Sequence, residues 1–330
     1  MQHEIDALMR DYRGDVPGAS VLVVRDGQPI VRHSYGMADL ERHVEASPQT
    51  NYRLASVSKQ FTAASVLLLV EDGRLKLDDP IKRYLPGLPT AADGITIRHL
   101  LTHTSGLIDY EDVMDPADTR QVHDADVLTL LQSQNRTYFA PGTGYRYSNS
   151  GYALLALIVE RASGQRYARF LHDRIFQPLG MNDTVAYEAG VSEVPNRAYG
   201  YSLENGAWTR TDQSTTSAVL GDGGIYSSLD DLSKWDAALY DERLLPSSVL
   251  RQAFTPATPT DDPQVEYGFG WRITGEMLWH SGETIGFRNV IVRWPKRHLT
   301  VVVLTNRDDP EPYETAKKIG ALAMREVATN

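Results

Sequence analysis

Apolar positions gather in short strand-length runs at both ends of the chain and at helical spacing between them. Residues Gly18–Arg25 (GASVLVVR) and Gln28–Ser34 (QPIVRHS) flank Asp26-Gly27. That dipeptide favours a tight hairpin turn, so the pattern predicts two paired strands. Near the other end, Gly286–Trp294 (GFRNVIVRW) and His298–Asn306 (HLTVVVLTN) read as two more strands, with Pro295-Lys296 in the turn between them. Phe61, Ala64, Ser65, Leu68 and Leu69 fall on one helical face, which predicts a helix from about Ser56 to Glu71 that ends at Asp72-Gly73. A last helix is predicted over roughly Glu311–Val327.

Between about Pro80 and Gly223 the pattern predicts helices at Ile97–Leu101, Asp124–Gln132, Ser150–Ser163 and Tyr167–Ile175, separated by Gly- and Pro-rich loops. No internal repeat or low-complexity segment is visible. Strands supplied by both chain ends most simply share one antiparallel sheet with helices packed on it. The expected fold is therefore α+β, an α/β sandwich: residues 1–80 and 224–330 form the sheet region, and residues 81–223 a mostly helical insert.

Composition narrows the function classes. The chain has 330 residues, 42% hydrophobic and 23% charged, as in ordinary globular proteins. Its formal net charge of −10 argues against nucleic acid or an anionic membrane surface as the main partner. No apolar run reaches spanning length. The opening segment MQHEIDALMRDYRGDVPG has no apolar signal-peptide core. As it stands the chain is expected in the cytoplasm, or in the periplasm or secreted if a signal peptide has been removed. It contains no Cys, so disulfides, thiol catalysis and Cys-ligated metal are excluded. The sequence leaves the oligomeric state open.

Candidate chemistry lies in three stretches. In RLASVSKQFTA, Ser56 stands three residues before Lys59. Ser56 there is either an N-cap, with Lys59 a solvated first-turn residue, or a nucleophile one helical turn from its base. In PGTGYRYSNSG, Ser148 or Asn149 can cap the helix that begins near Ser150. Alternatively, Tyr147 can take part in a proton relay, with Asn149 as an amide partner for substrate or Lys59. In MLWHSGETIGFRN, His280-Ser281-Gly282 precedes a predicted strand; Gly282 would let a substrate backbone come close.

Taken in order, Ser56-Val57-Ser58-Lys59, Tyr147-Ser148-Asn149 and His280-Ser281-Gly282 resemble the S-x-x-K, Y-x-N and K/H-x-G set of serine hydrolases of the class C β-lactamase and penicillin-binding-protein superfamily. LLTHTSGL (Leu100–Leu107), GDGGIYSSLDDLSKW (Gly221–Trp235) and YGFGW (Tyr267–Trp271) are similar to the family as well, so the resemblance spans nearly the whole chain. It implies a β-lactamase/transpeptidase-like fold and an acyl-enzyme on Ser56. It also implies a proton-transfer pair of Lys59 and Tyr147, and oxyanion donors at the backbone N–H groups of Ser56 and Glu283. Asn149, His280, Ser281 and Gly282 would line the substrate. The sequence does not settle which of Lys59 and Tyr147 is the base.

His280 stands where many class C β-lactamases have Lys. A His titrating near roughly 6.5 would be a weak carboxylate anchor, lost as pH rises. The expected activity is thus hydrolysis of a small ester, amide or D-peptide, of the esterase, carboxypeptidase or D-aminopeptidase type, with weak β-lactam turnover and no cofactor. The alternatives are an efficient β-lactamase and a non-catalytic penicillin-recognising binding protein. A metal reading rests only on His99 and His103 at i, i+4, with no third ligand, and no metal is expected. Asp222 reads either as a pocket residue or as a turn Asp before paired glycines.

Overall fold

The computed structural model describes residues 1–327. Eight strands form one sheet: β1 (Ala19–Arg25), β2 (Gln28–Tyr35), β3 (Thr258–Pro259), β4 (Glu266–Tyr267), β5 (Arg272–Thr274), β6 (Met277–Thr284), β7 (Phe287–Trp294) and β8 (Leu299–Thr305). Their order is β3-β4-β5-β6-β7-β8-β1-β2 and every pairing is antiparallel. The two chain ends meet where β1 pairs with β8, Ala19 opposite Thr305 and Arg25 opposite Leu299.

The central strands are buried at nearly every position and mostly apolar because both faces are covered. Val21, Val23, Val301 and Val303 pack against helices α1 (Gln2–Leu8) and α5 (Tyr313–Val327) through Ile5, Ala316 and Ile319. Leu22, Val24, Val302 and Leu304 face the opposite way, into a larger core that contains helix α2 (Lys59–Glu71) and helix α3 (Asn149–Ser163). Helix α2 is buried on all sides, with every residue from Lys59 to Leu69 inside. That is the pattern of a core helix rather than an amphipathic surface one, and it carries Lys59 into the interior.

Two expectations change in detail. His280-Ser281-Gly282 lies inside a strand, β6, instead of just before one. The short turn at Ile285-Gly286 lets β6 and β7 run as a hairpin, with Thr284 opposite Phe287. The middle segment also contains a hairpin, Tyr201–Glu204 with Ala207–Arg210, in addition to its helices. Among the described residues no helix is long and apolar enough to cross a membrane.

One buried ion pair fastens helix α4 (Leu229–Ala238) to the sheet. Asp236 Oδ1 accepts from Arg293 Nε on β7 and from Thr300 Oγ1 on β8, each at 2.7 Å, and both charged side chains are buried. Removing one member leaves the other charged and unpaired. Asp236→Ala is expected to lower the free energy of unfolding by about 3–5 kcal/mol. Urea denaturation checks this, and an unchanged midpoint and slope would contradict it.

Candidate active site

The chain enters the site through a sharp turn. Ala55, just before Ser56, has φ of +49°, a left-handed conformation that side-chain-bearing residues seldom adopt. Residues Ala55–Ser58 form a 3₁₀ turn that runs into α2, and neither end of it has a side-chain cap. Ser56 therefore caps nothing. The solvated-lysine reading fails as well, because Lys59 is 0% exposed.

Three oxygens surround the Lys59 amine. Nζ donates to Asn149 Oδ1 at 2.8 Å and to the Asp222 carbonyl oxygen at 2.9 Å, and it lies 3.0 Å from Ser56 Oγ. Ser58 points elsewhere, its hydroxyl accepting from the Ile225 N–H.

Asn149 is held from three sides. Ser148 is the N-cap of α3, and its hydroxyl accepts from Gly151 N–H. The Asn149 N–H donates to Asp109 Oδ2 at 2.8 Å, and Nδ2 donates to Glu111 Oε1 at 2.9 Å. Tyr147 packs its ring on Lys59, with Nζ 4.9 Å from the centroid. Its buried hydroxyl has no hydrogen-bond partner among the described residues. The structure thus brings Tyr147 to Lys59 without joining its hydroxyl to either Lys59 or Ser56.

β6 closes the site from the other side. A Cβ at Gly282 would overlap the Leu54 carbonyl oxygen and stand 3.2 Å from Ser56 N. A close approach that needs glycine is therefore made to the chain's own Ser56 turn. Ladder pairs in an antiparallel hairpin alternate between hydrogen-bonded and open. Thr284 and Phe287 close the hairpin, so Glu283, opposite Arg288, takes an open position. Its N–H points away from β7, to the edge where Gly282 meets the Ser56 turn.

His280 is 1% exposed. Nδ1 lies 2.6 Å from the Ser281 carbonyl oxygen, which can only accept, so Nδ1 carries the hydrogen. Nε2 then accepts from the Tyr267 hydroxyl at 3.0 Å. Burial, with Arg272 and Lys59 nearby, pushes its pKa well below the usual imidazole value. The value near roughly 6.5 belongs to an unperturbed His; here burial and the neighbouring cations favour the neutral ring, and both nitrogens are occupied.

Asp222 sits in a short helix, Leu220–Gly223, not a turn. Its carboxyl faces the Tyr110 hydroxyl at 3.1 Å, and burial pushes its pKa up to about 8, with Asp124 and Glu111 adding to the effect of burial and Lys59 opposing it. The i, i+4 histidine pair does not form on a helix. His103 lies past the helix Ile97–Leu101, with φ of +58°, and its Nδ1 accepts from the Ser148 N–H.

Ser56, Asn149 and Asp222 line one small cleft together with Arg53, Tyr110, Glu111 and Glu283. A larger cavity of ≈ 600 Å³ lies behind residues 213–218 and contains none of the three motifs. Asp109, Tyr110, Glu111 and Tyr267 were missed in the sequence. The acidic run IDYED after HTSGL was the available signal for the first three.

A family model described as Beta-lactamase matches residues 4–324. The chain belongs to the beta-lactamase family. Within it, penicillin-binding protein 4* of Bacillus subtilis (strain 168) is 34% identical over 316 residues, which cover 90% of this chain and 70% of that protein. D-aminopeptidase of Gluconobacter oxydans (strain 621H) is 30% identical over 338 residues; they cover 97% of this chain but only 61% of that relative. The crystal structure of D-amino acid amidase from Ochrobactrum anthropi SV3, complexed with L-phenylalanine amide, matches with a TM-score of 0.81 at 28% identity, over 94% of this chain and 92% of that one. This member of the beta-lactamase family has the expected mixed fold built on one large antiparallel sheet, and it is a serine hydrolase.

A neutral His280 changes the expected pH behaviour. The ratio of kcat/KM for a carboxylate-bearing substrate to that for a neutral ester cancels the pH dependence they share. With His280 neutral throughout, that ratio should show no step from pH 6 to 7, and a fall towards pH 8 belongs to Asp222, whose carboxyl ionises there. A fall centred near roughly 6.5, the value for a free imidazole, would contradict the assignment.

Proposed function

We propose that this protein hydrolyses small esters and amides through an acyl-enzyme on Ser56, with Lys59 as the base that activates it. The observation that carries the reading is the surroundings of the Lys59 amine. Asn149 Oδ1 and the Asp222 carbonyl are acceptors only, so they take two N–H groups and direct the third position of the nitrogen at Ser56 Oγ, 3.0 Å away. A deprotonated Lys59 has its lone pair there and takes the Ser56 proton as Oγ attacks the carbonyl carbon.

The new C–O bond turns the carbonyl oxygen into an oxyanion. The N–H groups of Ser56 and Glu283 are the proposed donors to it, the second supported by its open ladder position. Collapse breaks the bond to the leaving alcohol or amine, which receives the proton. Tyr147, packed on Lys59 with an uncommitted hydroxyl, is the proposed path for that return. Water then attacks the acyl-Ser56 by the reverse proton route. His280, Ser281 and Gly282 act in this reading by holding β6 against the Ser56 turn. The cleft lies between residues 81–223 and the rest of the chain, which we take as its two regions.

Charge in the cleft ranks the substrates. Glu111 and Glu283 line it, Asp222 being largely protonated at neutral pH, while Arg53, the one lining cation among the described residues, is bound to the side chain and carbonyl of Ser217. Such a cleft favours neutral or amino-bearing acyl groups over a β-lactam carboxylate, in keeping with relatives named D-aminopeptidase and D-amino acid amidase.

A panel of short-chain p-nitrophenyl esters, D-Ala p-nitroanilide and nitrocefin tests this. The ester and the anilide should be turned over and nitrocefin only weakly. Ser56→Ala should lose on the order of 10³-fold or more in kcat with its thermal unfolding unchanged. Nitrocefin turnover within roughly 10⁴–10⁸ M⁻¹s⁻¹, with esters untouched, would make β-lactamase the better reading.

A further inference from the structure

Asn149 can help direct the Lys59 amine only if its side-chain amide points the right way. An amide has an accepting end and a donating end of almost the same shape, so a half-turn would aim NH₂ at Nζ. Lys59 alone favours the oxygen. The other end of the amide meets Glu111, whose carboxylate can only accept. Glu111 Oε1 lies 2.9 Å from Asn149 Nδ2, and on the far side Asn149 Oδ1 lies 2.8 Å from Lys59 Nζ.

The backbone fixes the same contact. The single carboxylate of Asp109 accepts from Asn149 N–H through Oδ2 at 2.8 Å and from Glu111 N–H through Oδ1 at 3.2 Å. It therefore joins the turn Tyr110–Asp112, which it caps, to the start of α3. Glu111 stands at the rim of the cleft that holds Ser56.

We propose that Glu111 is a positioning residue for the reaction: it polarises and orients the Asn149 amide so that the oxygen stays on Lys59, and it acts on Ser56 only through that chain. The proposal rests on Ser56 and Lys59 being the reacting pair. It assigns a sense to the relay, carboxylate to amide hydrogen, amide oxygen to amine hydrogen, amine to hydroxyl. The sense can be exchanged without changing net charge. If position 149 carries a carboxylate and position 111 an amide, the amide hydrogen now donates from position 111 to position 149. The carboxylate there still offers an oxygen to Lys59.

The test is this swap, measured on a neutral p-nitrophenyl ester so that recognition of a charged substrate does not enter. Asn149→Asp alone sets two carboxylates face to face and should lower kcat by about 10-fold or more while KM moves little. Glu111→Ala alone should lower kcat by a smaller factor, because the amide loses its outer partner. The double variant Glu111→Gln/Asn149→Asp should recover at least about 10-fold of the loss of Asn149→Asp, since contacting groups couple strongly. Thermal unfolding of the unaltered protein and these three variants is the second readout: the midpoint should fall in Asn149→Asp and return in the double variant. A double variant no better than Asn149→Asp in both kcat and midpoint would overturn the proposal. An ester activity of the unaltered protein that survives Ser56→Ala would instead overturn the reading of Ser56, and the midpoints would still decide whether Glu111 and Asn149 are coupled.

Discussion

The Lys59 amine is buried, and a buried amine must have its polar hydrogens accepted or lose several kcal/mol of solvation. That requirement organises the site. Two hydrogens are accepted by a main-chain carbonyl from the Asp222 segment and an amide oxygen from the start of α3, and the remaining position of the nitrogen faces the third group, the hydroxyl of Ser56. The three come from separate stretches of the sequence. Their convergence depends on α2 passing through the core between the sheet and α3. The same burial that makes the amine demanding makes its direction definite, because the two carbonyl oxygens fix where its hydrogens point.

Burial also decides what the neighbours can do. A Lys at the third motif would put a second amine close to that of Lys59. His280 is a neutral ring instead, its two nitrogens engaged by the Ser281 carbonyl and the Tyr267 hydroxyl. Asp222 lies on the other side, its carboxyl pushed up to about 8 by burial, so at neutral pH it adds little negative charge next to the reacting atoms. The negative charges are left at the cleft rim, where Glu111 and Glu283 are exposed. A cleft whose buried Arg53 is already held by Ser217, under an acidic rim, is a poor host for an anionic substrate.

Much of this was legible in the residue pattern. Continuous apolar runs such as SVLVV and TVVVL marked the central strands because both faces of the sheet are covered. The spacing of Ser56 and Lys59 marked one helical turn. Periodicity could not say that α2 is a core helix, because burial on all sides leaves no polar face to read. Nor could it reveal the part played by Gly282, which depends on how closely β6 approaches Leu54 from across the fold. The surroundings of His280 were hidden for a similar reason: an isolated His carries no sign of the Tyr267 hydroxyl that meets it in space. Asp109 and Glu111 were passed over because an acidic loop is usually a solvated one, and only the three-dimensional contact with Asn149 separates this one from the rest.

Covalent labelling tests the central claim most directly. A fluorophosphonate reacts with a serine whose hydroxyl is activated by a neighbouring base. Trypsin would release both candidate serines in one peptide, Leu54–Lys59, and fragmentation separates Ser56 from Ser58. The account predicts the label on Ser56 alone, with labelling slowed when Lys59 is changed to Met. Label on Ser58, or labelling of Ser56 at the same rate without the amine, would contradict it.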